Sequence, residues 1–291
     1  MLETTAPTVE ELLREGRAYL AACGLSRPAW ETACIWSVVG GRDLTAAWLD
    51  RGESSNNDSA ARFREALERR AAGEPLSYVV GTASFRTLEV AVSSDVLIPR
   101  PETEGLVELV LEWGRVRRGS NWGIALDVGT GSGCIALSLA VEGRFSAVVA
   151  TDCSRAALRV AQRNAEAVDA TTPVRFVQAD LFDSIRYQGF DLVVSNPPYL
   201  TDVEFEEAEP SVRMYEPLIA LASGVDGMWH THAILENARS LLKPGGLLAL
   251  EIDSSRSETA RSAALEAGWR DVMVEADLFG RARYLVASVG G

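Results

Sequence analysis

The first quarter of the chain carries hydrophobic residues at helical spacing, separated by segments that end helices. The first helix is predicted to begin at the capping-box sequence of residues 8–11 and to end at Gly24. Its apolar face is predicted to comprise Leu12, Leu13, Tyr19 and Leu20. Further helices are predicted over 29–39 and 57–72, with an exposed polar loop at 51–58. The pattern therefore indicates a small helical bundle.

From residue 75 to residue 100 the spacing changes to a mainly alternating one. The alternating hydrophobic positions are Phe85, Leu88, Val90 and Val92. Alternation of this kind is typical of strands, so the segment is predicted to be a β-hairpin connector.

Beyond residue 100, strand-like and helix-like segments alternate. Strands are predicted over 124–128, 147–151, 174–178, 191–195 and 247–252, and around Val272 and Tyr284. Helices are predicted over 103–116, 134–141, 155–168, 233–242 and 257–267, with a long loop after residue 195. This order predicts an α/β fold in which a mostly parallel sheet has helices on both faces. Such a sheet binds ligands at the carboxyl ends of its strands.

The composition is that of a globular protein, with 47% hydrophobic and 24% charged residues. A net charge of −13 argues against a protein that binds phosphate backbones. The four cysteines are scattered through the sequence, so we interpret them as reduced packing residues and expect neither a disulfide nor a metal. Because neither a membrane span nor a signal peptide is apparent, we expect a cytoplasmic protein.

A glycine-rich segment, Gly129-Thr130-Gly131-Ser132-Gly133, lies between a predicted strand and a predicted helix. Glycines there allow a sharp turn and let a ligand approach the main chain. Dinucleotide enzymes favour a third glycine one residue later, where this chain has Cys134. The tighter spacing, with Asp152 after the next strand to bind ribose hydroxyls, predicts the nucleoside half of S-adenosylmethionine. Asp180, after the following strand, is positioned to accept from the adenine amino group.

The sequence Asn196-Pro197-Pro198-Tyr199 follows another apolar strand. Two prolines make the loop stiff, and both the Asn196 side chain and the Pro197 carbonyl can accept hydrogen bonds. An amide or aniline-like nitrogen is a poor nucleophile because its lone pair is delocalised. Two acceptors and a stacked tyrosine ring would orient that lone pair towards a methyl sulfonium. Together with the glycine segment, this sequence predicts methyl transfer to a planar amino nitrogen.

At this point the chain resembles the HemK-type protein-(glutamine-N5) methyltransferases. The similar segments are 73–76, 96–104, 127–133, 196–199, 216–217, 224–227, 242–246 and 277–283. Of these, Ile-Pro-Arg-Pro-Glu-Thr-Glu at 98–104, combined with a helical amino-terminal domain, is typical of this family. The resemblance implies a Rossmann-like class I methyltransferase fold with a seven-stranded sheet. It also implies methylation of the glutamine in the Gly-Gly-Gln motif of class 1 peptide-chain release factors, which modulates translation termination.

By the same resemblance, several residues are expected to bind the cofactor or the substrate. Residues 129–133, Asp152, Leu181 and Asn196 would contact S-adenosylmethionine, and Asn196 to Tyr199 would hold the glutamine. Four positions depart from the family pattern, and they bear on cofactor affinity and the rim of the site. Leu181 replaces a frequent Trp, Arg86-Thr87 replaces Trp-Gly, and Asp253 replaces a Gly.

Two other functions remain open at this stage. The same tetrapeptide can hold the amino group of a flipped adenine, which would make the protein an RNA or DNA methyltransferase. An inactive binding module would retain the fold without activity. We do not expect His230 and His232 to form a metal site. We interpret Glu102 and Glu104 as residues that favour the start of a helix rather than as acid/base catalysts.

The predicted domains are 1–74, a helical bundle that recognises the release factor, 75–100, the hairpin connector, and 101–291, the methyltransferase domain. A single glutamine offers too little surface for a selective protein complex, which is why we assign recognition to the helical domain. The protein is expected to be a monomer.

Overall fold

A computed structural model describes residues 6–41, 45, 52–117 and 119–290. The chain divides into two compact units. The helical unit comprises Met1–Thr82 with Pro210–Tyr215, and the sheet unit comprises Ala83–Glu209 with Glu216–Gly291.

The elements in chain order are α1 (Val9–Ala22), α2 (Pro28–Gly40), α3 (Asn57–Ala71), α4 (Leu76–Val80), β1 (Thr82–Phe85), β2 (Leu88–Ala91), α5 (Pro101–Arg117), β3 (Ile124–Val128), α6 (Cys134–Glu142), β4 (Ala147–Asp152), α7 (Arg155–Ala167), β5 (Val174–Gln178), β6 (Phe190–Ser195), α8 (Asp202–Glu207), α9 (Pro210–Tyr215), α10 (Trp229–Asn237), β7 (Leu242–Glu251), α11 (Ser257–Glu266), β8 (Arg270–Ala276) and β9 (Ala282–Ser288).

The first helix of the helical unit begins with the predicted capping box. The Glu11 N–H donates to Thr8 Oγ1 at 3.3 Å, and the Thr8 N–H donates to Glu11 Oε2 at 2.9 Å. Leu12 and Leu20 are fully buried, but Tyr19 is 41% exposed, so its predicted place on the apolar face was wrong. Successive helical side chains point about 100° apart, and Leu20 rather than its neighbour faces the core.

The loop predicted at 51–58 is only partly exposed. Arg51 lies outside the described residues, and residues 52–54 are exposed. Ser55 is buried and donates its hydroxyl hydrogen to the Pro7 carbonyl at 2.7 Å. The loop ends at Asn56, whose side chain accepts from the Ser59 N–H and so begins α3.

The segment predicted as a hairpin connector is partly helical. Leu76 to Val80 form the short helix α4, and only residues 82–91 form the hairpin. Leu76, Val79 and Val80 pack against the core of the helical unit. Leu76, Val79 and Val80 are spaced three and four residues apart, as on one face of a helix. The prediction of a hairpin over the whole segment overlooked this spacing.

Among the described residues, seven strands form one sheet in the order β5-β4-β3-β6-β7-β9-β8. The first five are parallel, and β9 is antiparallel to both β7 and β8, which confirms the predicted mostly parallel sheet. Successive residues of the central strands face opposite cores. Ala125 and Leu192 belong to one hydrophobic cluster, and Leu126 and Val193 to the other.

Three predicted boundaries in the sheet unit were wrong. The supposed long loop after residue 195 contains α8, which begins at a capping box of Thr201 and Glu204. Helix α10 begins at Trp229 rather than residue 233 and ends at Asn237. Strand β7 begins at Leu242 rather than residue 247, because a bulge opposite β6 accommodates a Pro and two Gly residues within the strand.

In the part of the chain that the structure describes, no helix combines the length and the apolar character that crossing a membrane requires.

Candidate functional site

A cavity of about 310 Å³ opens at the carboxyl edge of the parallel strands. Its walls include the carboxyl ends of four neighbouring strands and the residues that follow them, which are 129–132 after β3, 152–154 from the end of β4, 179–181 after β5 and 195–198 from the end of β6. All of its lining residues belong to the sheet unit. Parallel strands bring their carboxyl ends to one edge, so residues far apart in sequence meet there.

The three glycines after β3 have two different roles. All three have positive φ, of 73° at Gly129, 53° at Gly131 and 84° at Gly133. A Cβ at Gly129 or Gly131 would meet no atom within 4 Å, and both glycines line the cavity. Gly133 does not line the cavity. It faces α7 instead, where a Cβ on Gly133 would lie 3.2 Å from Ala161 Cβ. The first two leave main chain open to a ligand, and the third allows helix packing.

Asp127 lies beneath this loop and is fully buried. Its Oδ2 accepts from Thr130 Oγ1 at 2.6 Å and from the Ala136 N–H at 3.2 Å. Its Oδ1 has no hydrogen-bond partner among the described residues. Burial raises the pKa of Asp127 to about 7, against the opposing effect of these two hydrogen bonds. Asp127 does not line the cavity, and its hydrogen bonds tie the loop at Thr130 to the start of α6.

Asp152 connects two loops through its carboxylate. Its Oδ2 accepts from the Gly131 N–H at 2.9 Å, and its Oδ1 accepts from the Ser154 N–H at 2.8 Å. Each carboxylate oxygen has a further lone pair for a ligand hydroxyl. Burial raises the pKa of Asp152, while the two N–H donors oppose that rise.

Asp180 and Leu181 form the next part of the wall. Asp180 is exposed. Leu181 has a φ of 49°, a backbone conformation that residues other than glycine seldom adopt. Trp229 and His230 line the same cavity, although the sequence analysis assigned neither a role there. His230 Nδ1 lies 2.8 Å from Ser223 Oγ, and burial lowers the pKa of this imidazole.

The loop after β6 brings Asn196, Pro197 and Pro198 to the cavity wall. Tyr199 does not line the main cavity and instead borders a smaller one of about 30 Å³, together with residues 196–198. The Ser195 hydroxyl donates to the Val128 carbonyl at 2.7 Å, which joins this loop to the glycine segment. The two motifs that the sequence analysis singled out therefore lie side by side.

A buried hydrogen-bond network supports Asn196, and the sequence analysis missed it. Asn196 Nδ2 donates to Thr103 Oγ1 at 3.0 Å, and Thr103 donates to Glu251 Oε2 at 2.8 Å. Tyr199 Oη lies 3.5 Å from Glu251 Oε1, a weak contact. Burial raises the pKa of Glu251 to about 7. The available signal was an acidic residue at the end of an apolar strand, which is the pattern that pointed to Asp152.

An ion pair between Arg100 and Glu216 joins two further segments of the wall. Arg100 lies 2.5 Å from Glu216 Oε1, and the Ile98 N–H donates to Glu216 Oε2 at 3.4 Å. The Glu216 side chain is only 2% exposed. A buried carboxylate of this kind is stable because both of its oxygens have donors.

Arg86 has a role outside the site, whereas two of the cysteines lie at the cavity. Arg86, with a φ of 52°, donates to Glu142 and Glu108, and its hydrogen bond to Glu142, supported by Glu108, raises the pKa of its guanidinium against the opposing effect of burial. The packing role assigned to the cysteines was wrong for two of them, since Cys23 and Cys153 are exposed. Cys153 lines the cavity and Cys134 is buried beside it.

The residues of this cavity fit S-adenosylmethionine. Main chain at Gly129 and Gly131 is open to a ligand, and Asp152 offers acceptors for hydroxyl groups. An apolar wall near Leu181 and a rigid acceptor loop at Asn196 border the same space. This donor and acceptor set matches a nucleoside attached to a short charged chain.

Comparisons with known proteins agree with this architecture. The family described as "Methyltransferase small domain" matches residues 116–214, and the family described as "PrmC N-terminal domain" matches residues 11–81. The release factor glutamine methyltransferase of Geobacter sulfurreducens is 36% identical over 283 residues, which cover 97% of each chain. The protein of the same name from Moorella thermoacetica is 40% identical over 283 residues, which cover 96% of this chain and 98% of the relative. A solved methyltransferase from Pyrococcus furiosus is similar in fold, with a TM-score of 0.53 at 20% identity, over 81% of this chain and 100% of that one.

Proposed function

Because the chain belongs to the family of release factor glutamine methyltransferases, we propose that its cavity binds S-adenosylmethionine and the side chain of one glutamine together. The protein is an S-adenosylmethionine-dependent protein-glutamine N-methyltransferase. The observation that carries the assignment of residues is that the glycine segment and Asn196 follow the adjacent strands β3 and β6.

At the cofactor end, four groups of residues share the binding. Gly129 to Ser132 approach the ligand with main chain, Asp152 accepts from the ribose hydroxyls, and Asp180 accepts from the adenine amino group. Leu181 packs on the adenine ring. When bound, S-adenosylmethionine supplies an electrophilic methyl group.

At the substrate end, Asn196 Oδ1 and the Pro197 carbonyl accept the two N–H bonds of the glutamine amide. Asn196 Oδ1 is available for this because Nδ2 already donates to Thr103. As positive charge develops on the amide nitrogen, both acceptor bonds strengthen, so their contribution is largest in the transition state. Pro198 stiffens the loop, and the Tyr199 ring borders the planar amide. The methylated nitrogen is strongly acidic and releases its proton to solvent.

The substrate of this reaction is a release factor, and the methylated residue is the glutamine of its Gly-Gly-Gln motif. The helical unit supplies a second contact with the release factor, because one side chain buries too little surface for selective binding. Release factors act in translation termination, which assigns the reaction to the cytoplasm. The protein acts as a monomer, and its net charge of −13 argues against nucleic-acid substrates. Neither the adenine methyltransferase nor the inactive module is favoured by the full-length relatives.

The test is methyl transfer from radiolabelled S-adenosylmethionine to purified release factor, RNA and DNA in separate reactions. We expect label in the release factor alone, on the glutamine of the Gly-Gly-Gln motif as located by peptide mass spectrometry. A release factor in which that glutamine is replaced by glutamate is the matched control and should remain unlabelled. Label only in nucleic acid, or equal labelling of the control factor, would reject the proposal.

A further inference from the structure

We propose that Thr103 and Glu251 are positioning residues. They determine whether the oxygen or the nitrogen of the Asn196 side-chain amide faces the cavity. This inference rests on the proposed function, because it concerns how Asn196 presents an acceptor to the glutamine amide. Neither residue needs to contact the substrate for this role, since both act through the Asn196 side chain.

The three residues come from three elements that the sheet brings together. Glu251 ends β7, and its neighbour Leu250 is in register with Ser195 of β6, so Glu251 lies near the start of the Asn196 loop. Thr103 lies in the first turn of α5. Thr103 is 2% exposed and Glu251 is 1% exposed, so water does not compete strongly for their hydrogen bonds.

The direction of each hydrogen bond follows from the chemistry of the last acceptor. An ionised Glu251 can only accept, so the Thr103 hydroxyl must donate its single hydrogen to it. Thr103 Oγ1 can then only accept from Asn196, which must turn its Nδ2 towards Thr103. Asn196 Oδ1 is thereby left for the cavity, where the reaction needs an acceptor.

Protonation of Glu251 removes this constraint. A neutral carboxyl group can donate to Thr103, whose hydroxyl can then donate to Asn196 Oδ1 and stabilise the rotated amide. The rotated amide would present N–H groups to the N–H groups of the substrate. Methyl transfer therefore needs the ionised carboxylate and declines as Glu251 takes up a proton.

The surroundings of Glu251 bring this protonation close to neutral pH. Burial raises the pKa of Glu251 to about 7, and Glu102 on α5 contributes in the same direction. Arg283 on β9 and the hydrogen bonds from Thr103 and Tyr199 oppose the rise. Tyr284, in register with Glu251 on β9, is a further titratable neighbour. Since the folded pKa is raised, the productive arrangement is present above about pH 7 and is lost as the pH falls through that value.

Three variants separate polarity from simple structural support. Thr103→Val keeps the shape and removes the hydroxyl, Thr103→Ser restores the hydroxyl, and Glu251→Gln keeps the shape but can donate or accept. Thr172→Val is the matched control, because Thr172 is also a buried threonine of the sheet unit, lies outside the cavity lining and donates its hydroxyl hydrogen to the Phe145 carbonyl at 3.1 Å. Each protein is measured by single-turnover methylation of release factor between about pH 6 and about pH 9, alongside calorimetric titration with S-adenosylmethionine and thermal unfolding.

We expect Thr103→Val to lower the single-turnover rate roughly 10- to 100-fold with cofactor affinity within about twofold of wild type, and Thr103→Ser to recover most of that rate. Wild type and Thr172→Val should lose activity below about pH 7, and this acidic decline should be absent from Glu251→Gln. Wild-type rates in Thr103→Val, or an unchanged acidic decline in Glu251→Gln, would overturn the inference. If Thr103→Val does not fold, the pH profile of Glu251→Gln decides alone. Failure of wild type to methylate the release factor would instead reject the proposed function.

Discussion

Asn196 has two side-chain atoms with opposite functions, and the structure separates them. Nδ2 donates to Thr103, whereas Oδ1 is the atom that we propose accepts from the substrate amide. An acceptor fixed before the substrate arrives needs no reorganisation while charge develops, which is the condition for a large catalytic effect. We therefore expect Asn196 to contribute to turnover more than to ground-state binding.

Asn196→Ala should reduce the methylation rate by roughly 10²- to 10³-fold, as expected for the loss of one preorganised hydrogen-bonding group. The dissociation constant for S-adenosylmethionine should change much less. Single-turnover kinetics and calorimetry on the same preparations measure both quantities. Tyr199→Phe is the milder comparison, because the ring is retained and its hydroxyl makes only a 3.5 Å contact with Glu251. Near-normal turnover in folded Asn196→Ala would disprove the assigned role.

Asp152→Ala should weaken S-adenosylmethionine binding by roughly 10- to 100-fold, since hydrogen bonds to charged groups contribute ~1.5–3 kcal/mol. Asp152→Asn should also weaken binding, because an amide nitrogen cannot accept from Gly131 or Ser154 as the carboxylate does. Calorimetric titration measures both losses, and Asp169→Ala, which removes an exposed carboxylate of the same unit, should bind normally. Wild-type affinity in folded Asp152→Ala would show that this carboxylate does not contact the cofactor.

At the scale of elements, the turn from β3 to α6 depends on backbone that only glycine adopts without strain. Gly131 has a φ of 53° and faces the open cavity, whereas Gly133 has a φ of 84° and packs near α7. A side chain at Gly131 would therefore strain the turn and also occupy ligand space.

Gly131→Ala should lower thermal stability modestly, by the equivalent of about 1–2 kcal/mol, and should weaken S-adenosylmethionine binding in addition. Gly245→Ala is the matched control, because Gly245 has a φ of 71°, open space around it and no place in the cavity lining. The control should show a similar loss of stability with cofactor affinity unchanged. Thermal unfolding and calorimetry on both variants check this, and equal affinities in the two variants would count against a binding role for the loop.

The departure from the family pattern at Arg86 also has an explanation at the element scale. Arg86 follows β1 and joins the hairpin to α5 and α6 through Glu104, Glu108 and Glu142. These contacts bury the guanidinium, whose side chain is 13% exposed. The substitution therefore concerns how the hairpin is held against two helices.

At the scale of the whole molecule, the division into units decides how recognition can be tested. Helix α4 packs its apolar residues against the helical core, so a cut after Ala72 would leave them without that core. Gly81 ends α4 with a φ of 78° and is the more suitable boundary.

Deletion of residues 1–81 should leave S-adenosylmethionine affinity within about twofold while lowering methylation of intact release factor by about 100-fold or more. Methylation of a short peptide that contains the target glutamine should change little, because a peptide cannot use a second contact. Calorimetry and parallel kinetics on both substrates provide the measurements. Undiminished activity on the intact factor would show that the helical unit is dispensable for recognition.

Local chemistry in the sequence was sufficient to predict much of this protein. Near neighbours in the sequence determine the structure of strands such as β3 and β5. They also determine the site segments, which are the glycines at alternate positions, the acids at strand ends and Asn196-Pro197-Pro198. Periodicity failed where a local signal was ambiguous, as in α4, or where a bulge extends β7 through Pro and Gly residues.

Only the tertiary structure decided which polar groups meet. Thr103 and Glu251 are 148 positions apart in the chain, and no local pattern relates them. The packing role of Gly133 depends on the position of α7. The exposure of Cys153 likewise depends on its place in the folded chain. Hydrogen-bond direction and burial are properties of surroundings that strand order and helix packing assemble, so they exist only after the chain has folded.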